Sequence, residues 1–159
     1  MKVLITGLHL LLFITTVVSC KRSEEHVIPY KYEFEKLSFD AEKDGREISF
    51  SYAGALLQPL NPTNAALEIT ATSDSVGMIK IRLIRYNGLG TYILGQADLN
   101  NAVLVDSHGS INAQSGAVFI YSNKDQKISG VFNFKGVNVF TNRTVTVNKG
   151  KFTAIPISN

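Results

Sequence analysis

The sequence predicts an all-β fold, a single antiparallel β-sandwich of roughly ten short strands. Three observations carry this expectation. Apolar and polar residues alternate with period 2 from Leu37 onward, turn residues punctuate the alternation at short intervals, and no convincing helical period follows Cys20. The alternative is a closed lipocalin-like β-barrel, because the same strands serve either architecture and pairing is non-local.

The elements follow in order. Leu37, Phe39 and Ala41 alternate with Ser38, Asp40 and Glu42. Asp44-Gly45 is a strong hairpin signal, and Ile48, Phe50 and Tyr52 then share one face of the returning strand. Ala55 to Asn64, with Pro59 and Pro62, reads as a connector. Leu67, Ile69 and Ala71 form the next inward face, and Ser73-Asp74-Ser75 turns the chain. Ile79, Ile81 and Leu83 face in, Lys80 and Arg82 face out, and the phase slips near Leu83-Ile84, where a β-bulge is expected.

Asn87-Gly88-Leu89-Gly90 is a turn before short strands at Thr91–Leu94 and Ala102–Asp106. Ala117 to Tyr121 is apolar on both faces, as in a strand covered on both sides. Ile128, Phe132 and Phe134 share a face with Gly130 between them, and Val137, Val139, Val145 and Val147 continue the pattern. Asn148-Lys149-Gly150 reads as a turn into a last strand, Lys151 to Ile157. Tyr32 to Leu37 is the nearest approach to a helix and is too short to form one alone.

The N-terminus specifies an address. Lys2 precedes an apolar run from Val3 to Val18, and the segment ends Val17-Val18-Ser19-Cys20. A small residue before a cut, with cysteine directly after it, is the pattern of lipoprotein processing. Residues 1–19 are therefore expected to be a signal peptide, and Cys20 the lipidated residue. The run is near the lower limit for spanning a bilayer and lacks a stop-transfer flank. Cys20 is the single cysteine, so no disulfide, thiolate metal site or cysteine nucleophile remains once its sulfur is acylated. Several acyl chains on one residue make a stable anchor.

Residues 20–30 read as a tether, with Lys21-Arg22-Ser23-Glu24-Glu25 wholly polar and Pro29 barring a helix. Residues 31–159 are then the all-β domain. Lys2 is the only charged residue in 1–19, so the mature chain carries 15 Lys+Arg against 13 Asp+Glu. So mild a balance argues against nucleic-acid binding.

Several phrases carry a resemblance. They are Phe39-Asp40-Ala41 with Asp44-Gly45-Arg46-Glu47, Leu67 to Thr72, Gly90 to Gly95, Gly116 before Val118 and Ile120, Ile128 to Phe134, and Val145-Thr146-Val147 leading to Gly150-Lys151-Phe152. In this order they resemble an uncharacterised lipoprotein family of Bacteroidota, a domain of unknown function. The resemblance covers about Leu37 to Ile157 and departs at the proline-bearing stretch after Gly54. It implies an envelope lipoprotein with a β-sandwich-like domain and carries over no functional residues. Glu24-Glu25 is similar to the acidic runs that mark surface export in that phylum, although Lys21 and Arg22 precede it.

Catalytic chemistry is thinly represented. His108 is the one histidine of the domain, within Asp106-Ser107-His108-Gly109, which reads as a turn and not a Ser-His-Asp triad. One histidine is too few for a typical zinc enzyme. After the first hairpin the carboxylates are Glu68, Asp74, Asp98, Asp106 and Asp125, and no two suggest a glycosidase pair. Asp98, Asn100 and Asn101 lack the spacing of a calcium loop. No cofactor or metal is expected, and the chain reads as a non-enzyme.

Three binding features remain. Lys80, Arg82 and Arg85 form a basic patch for an anionic polymer, a lipid headgroup or a protein partner, against the plainer reading of a solvated strand face. Tyr86, Tyr92 and Tyr121 are the aromatics available to a sugar, in a chain without tryptophan. Asp74-Ser75-Val76 resembles a short O-glycosylation motif, making Ser75 a candidate acceptor, while Asn142-Arg143-Thr144 fits an N-glycosylation pattern by chance. The expected function is a non-enzymatic binding or assembly module at the outer membrane or cell surface, anchored in the membrane and meeting an envelope protein. The alternative is a small-ligand carrier, in which Phe50, Phe119, Phe132 and Phe134 line a cavity instead of filling a core.

Overall fold

The computed structural model describes residues 36–95 and 99–159; Cys20, the segments 1–19 and 20–30, residues Tyr32 to Glu35 and Asp98 lie outside them. Ten strands follow one another: β1 (Ser38–Lys43), β2 (Arg46–Ser49), β3 (Tyr52–Asn61), β4 (Asn64–Ser73), β5 (Gly77–Tyr86), β6 (Gly90–Gly95), β7 (Asn101–Asp106), β8 (Gly109–Lys124), β9 (Lys127–Val137) and β10 (Thr144–Ser158). The all-β expectation and the number of strands agree with this structure.

The sandwich does not. Seven strands, in the order β3-β4-β5-β7-β8-β9-β10, close on themselves as a barrel, the architecture held as the alternative. The closing contact is short and parallel: Ile157 lies beside Ala55 and Ser158 beside Leu56. The Ser158 hydroxyl donates to the Ala55 carbonyl at 3.2 Å. The remaining strands branch from the barrel, β1 and β2 from the free edge of β10 and β6 from that of β8.

Bulges bend β10 and β5 within the wall. In β10 the register shifts between Val147 and Gly150 and again between Phe152 and Ile155. Lys149 (φ 47°) and Ala154 (φ 53°) take the left-handed backbone there. Asn148 to Gly150 is thus a bulge inside one continuous strand, not the expected turn. The Ala154 N–H, displaced from the ladder, donates to the buried Ser129 hydroxyl at 2.9 Å. In β5 the extra residue is Arg85 (φ 59°), one position beyond the predicted slip.

The expected connector from Ala55 to Asn64 is instead the second half of β3, the turn at Pro62-Thr63 and the start of β4. Pro59 is tolerated because β3 meets β10 only at Ala55 and Leu56. Beyond Leu56 its outer edge has no described strand partner, so the missing N–H costs no ladder bond. The Asp44-Gly45 turn holds two positive φ angles, 48° and 81°, as a two-residue hairpin requires.

The barrel interior is filled with side chains. Phe39, Phe132 and Phe152 stack within 5.1 to 6.4 Å of one another, and Phe50 meets Phe39 edge-on at 5.3 Å. Leu67, Ile69, Ile79, Ile81, Leu83, Leu104, Ile111 and Ile120 are fully buried around them. Phe50, Phe132 and Phe134 are core residues, whereas Phe119 points outward. Ala117 to Tyr121 is therefore covered on one face only: Val118 and Ile120 are buried, and Phe119 and Tyr121 are exposed. Val139 departs from its predicted face and lies exposed in the loop after β9.

Asn100 seals the gap between β5 and β6 above the end of β7. Its side-chain oxygen accepts from the Ile84 N–H at 2.8 Å, and its side-chain amide donates to the Ile93 carbonyl at 3.0 Å. Beside it Tyr86 stacks on Tyr92 at 5.9 Å, and the Tyr92 hydroxyl lies 2.8 Å from the Asn87 side-chain oxygen and 2.9 Å from the Gly88 carbonyl, sharing its one proton between them. Two of the tyrosines considered for sugar binding are thus committed to the wall.

Candidate functional site

One barrel end gathers four connections: the β1–β2, β4–β5 and β7–β8 turns and the loop from Asn138 to Arg143. They enclose a pocket of about 680 Å³ lined by Lys43, Arg46, Ser75, Asp106, His108 and Arg143, among others. Asp106 is its electrostatic centre. The last residue of β7, it has a side chain only 4% exposed.

A buried carboxylate is costly unless paired, and both oxygens of Asp106 are used. Lys43 donates to Oδ2 at 2.5 Å, and Arg143 donates to Oδ2 at 3.0 Å and Oδ1 at 3.4 Å. The backbone N–H of His108 donates to Oδ1 at 2.8 Å. Burial pushes the Asp106 carboxyl upward, but the bonds from Lys43, His108 and Arg143 outweigh it and hold the pKa down at about 2. One carboxylate thereby ties together β1, the β7–β8 turn and the approach to β10.

The Asp-Ser-His sequence is a turn, as predicted, and its geometry is no relay. Ser107 Oγ and Asp106 Oδ1 lie 3.2 and 3.7 Å from the same ring nitrogen, His108 Nδ1. A triad needs the nucleophile on one nitrogen and the carboxylate on the other. Among the described residues no group of three or more His, Cys, Asp or Glu is placed to hold a metal.

The neighbouring loop is built on Asn138, a buried polar residue that sequence reading passed over. Its side-chain oxygen accepts from the Phe140 and Thr141 N–H groups at 2.9 and 3.1 Å, and its amide donates to the His108 carbonyl at 3.2 Å. Its backbone N–H donates to Arg143 at 2.9 Å, and its carbonyl accepts from Asn142 at 2.8 Å. The loop so fixed holds Phe140 93% exposed beside Val139 at 61%. A hydrophobic pair on a loop whose backbone is tied has less backbone entropy to lose on contact.

The residues singled out from sequence fall in several places. Ser75 is exposed on the β4–β5 turn at the pocket rim, 3.2 Å from the Ser73 hydroxyl. Lys80 and Arg82 share the outer face of β5, where Lys80 is paired with Glu68 at 2.9 Å. Arg82 is exposed nearby, and Arg85 occupies the bulge. None of the three reaches the barrel-end pocket. Asp98 is outside the described residues, and Asn100 serves the wall.

Residues 34–156 match the family model described as Domain of unknown function (DUF6252). The chain belongs to this family. No curated protein and no solved structure matches the chain significantly. The resemblance read from the sequence, to an uncharacterised domain, agrees with this membership as to the domain. What DUF6252 contributes in this chain is a closed barrel with a packed interior and one end rich in charge.

Proposed function

We propose that this DUF6252 protein is a non-enzymatic binding or assembly module of the cell envelope, held to a membrane by a lipid on Cys20. Its contact site is the barrel end formed by the Asp106 pocket and the Asn138–Arg143 loop. The observation that carries this reading is Phe140, an almost fully exposed aromatic on a loop tied down by Asn138. Large exposed apolar side chains on rigid supports are typical anchors of protein interfaces. The phrase Val18-Ser19-Cys20 supports the anchor.

The carrier reading draws support from the closed barrel, yet the space it needs is taken by Phe39, Phe132 and Phe152. Native mass spectrometry of the lipoprotein gently released from its own envelope separates the two. A co-purifying protein that is lost in Phe140→Ser supports the module. A small mass increment that survives Phe140→Ser overturns it in favour of the carrier.

The anchor has its own check. Cys20→Ser is expected to abolish incorporation of labelled palmitate and to move the chain out of the membrane fraction. Unchanged labelling would remove the anchor from the proposal.

A further inference from the structure

We propose that Asn87-Gly88, in the turn after β5, is a site of covalent self-modification, where the Asn87 side-chain amide is converted without an enzyme to aspartate and isoaspartate. The reaction needs an asparagine amide, a backbone N–H on the next residue available to attack it, and a next residue too small to obstruct the approach. Asn87 is the one asparagine of this chain that precedes glycine. The fold puts the two together for separate reasons. Gly88 sits at φ 102°, a backbone that L side chains rarely adopt, so the turn itself calls for glycine. A Cβ at Gly88 would meet nothing within 4 Å, so no neighbour walls off its nitrogen on that side. Asn87 is held by Tyr92, whose hydroxyl accepts from the Asn87 N–H at 3.2 Å and lies 2.8 Å from Asn87 Oδ1.

Asn87 is exposed to water, and the pair lies between β5 and β6, outside the ladders that occupy most backbone N–H groups of the barrel. Among the described residues, neither the Gly88 N–H nor the Asn87 side-chain NH2 has a hydrogen-bond partner. The tie to Tyr92 is on Oδ1, an atom that stays on Cγ when the amide is lost. It places a donor where negative charge develops as the nitrogen adds. In the reaction the Gly88 nitrogen gives its proton to water and bonds to Asn87 Cγ. The Cγ–Nδ2 bond then breaks, and Nδ2 leaves as ammonia with a proton returned from water. Water opens the resulting cyclic imide at either carbonyl. Breaking the bond to Cγ gives aspartate, and breaking the original peptide bond gives isoaspartate, whose main chain runs through Cγ. In sum, water is consumed and ammonia released, with no redox change. Either product adds a negative charge at one end of β5. Gly77, at the other end, lines the Asp106 pocket, so the change falls away from the proposed contact site.

The test incubates the freshly isolated full chain at mildly alkaline pH, with circular dichroism checking that it stays folded, beside a synthetic peptide spanning Ile84 to Tyr92. Peptide mapping by mass spectrometry then reads each asparagine. Asn87 is expected to yield two products, each heavier by the difference between O and NH, at a rate within about tenfold of the free peptide or faster. Asn123 is also exposed but precedes lysine, and its side-chain amide is bonded to the Tyr86 hydroxyl at 3.0 Å. It should convert at least about tenfold more slowly than Asn87 in the same sample. Conversion of Asn87 more than about tenfold slower than in the peptide, or no faster than that of Asn123, overturns the proposal.

Discussion

Replacing Asp106 by Asn is expected to destabilise the domain by about 2 to 3 kcal/mol. Truncating one member of a buried ion pair leaves its partners uncompensated, at about 3 to 5 kcal/mol in fully buried cases. Lys43 and Arg143 retain some contact with water, at 19% and 31% side-chain exposure, so the lower end applies. The amide carries no charge and puts an NH2 where one accepting oxygen stood, so Lys43, Arg143 and the His108 N–H lose the charge and one acceptor together. Urea unfolding at neutral pH checks this, and an unchanged midpoint would remove Asp106 from the account of stability.

The same residue sets an acid limit. Its folded pKa of about 2 lies below the usual aspartate value near 3.8. Above the unfolded value both states are ionised, and the native state keeps the full benefit of the pairing. As pH falls from about 5 toward 2, the unfolded chain takes up the proton first and the benefit is lost, by about 2 kcal/mol. The wild-type midpoint should therefore fall over this window, and the Asp106→Asn midpoint should fall by less. Parallel slopes in the two proteins would assign the acid sensitivity elsewhere.

Gly130→Ala should be at least as damaging, at about 3 kcal/mol. Gly130 lies opposite Phe152 in the β9–β10 ladder, and the Phe152 ring covers it. A Cβ there would lie 2.4 Å from the ring and 2.6 Å from the backbone oxygen of Phe119. Neither can yield easily. Phe152 is fully buried against Phe39 and Phe132, and the Phe119 oxygen belongs to the β8 backbone. Overpacking of this kind commonly costs about 1 to 3 kcal/mol and more where the backbone must move. Phe152→Leu added to Gly130→Ala should recover part of the loss, because the smaller side chain vacates the contact. Strictly additive effects in that double-mutant cycle would show that the ring is not the obstacle.

What the sequence determined was local. Alternation with period 2 settles which of Ile79, Lys80, Ile81 and Arg82 faces the core, because side chains two apart lie on one side of a strand. Asp44-Gly45 settles a hairpin, because few residue pairs accept two positive φ angles. The slip after Leu83 reported a bulge to within a residue, because an extra residue shifts the phase of everything after it.

What only the tertiary structure decided depended on partners far along the chain. Asp106 looked like a turn residue, and its meaning comes from Lys43, 63 positions away, and Arg143, 37 positions away. Asn138 and Asn100 are ordinary loop residues until the carbonyl of His108 and the N–H of Ile84 are brought to them. Barrel rather than sandwich rests on Ile157 and Ser158 reaching Ala55 and Leu56. No period within a strand encodes which strand will lie beside it. Alternation specifies the inner face of a sheet, whereas closure depends on the accumulated twist and bulging of the seven barrel strands, and both architectures bury the same residues.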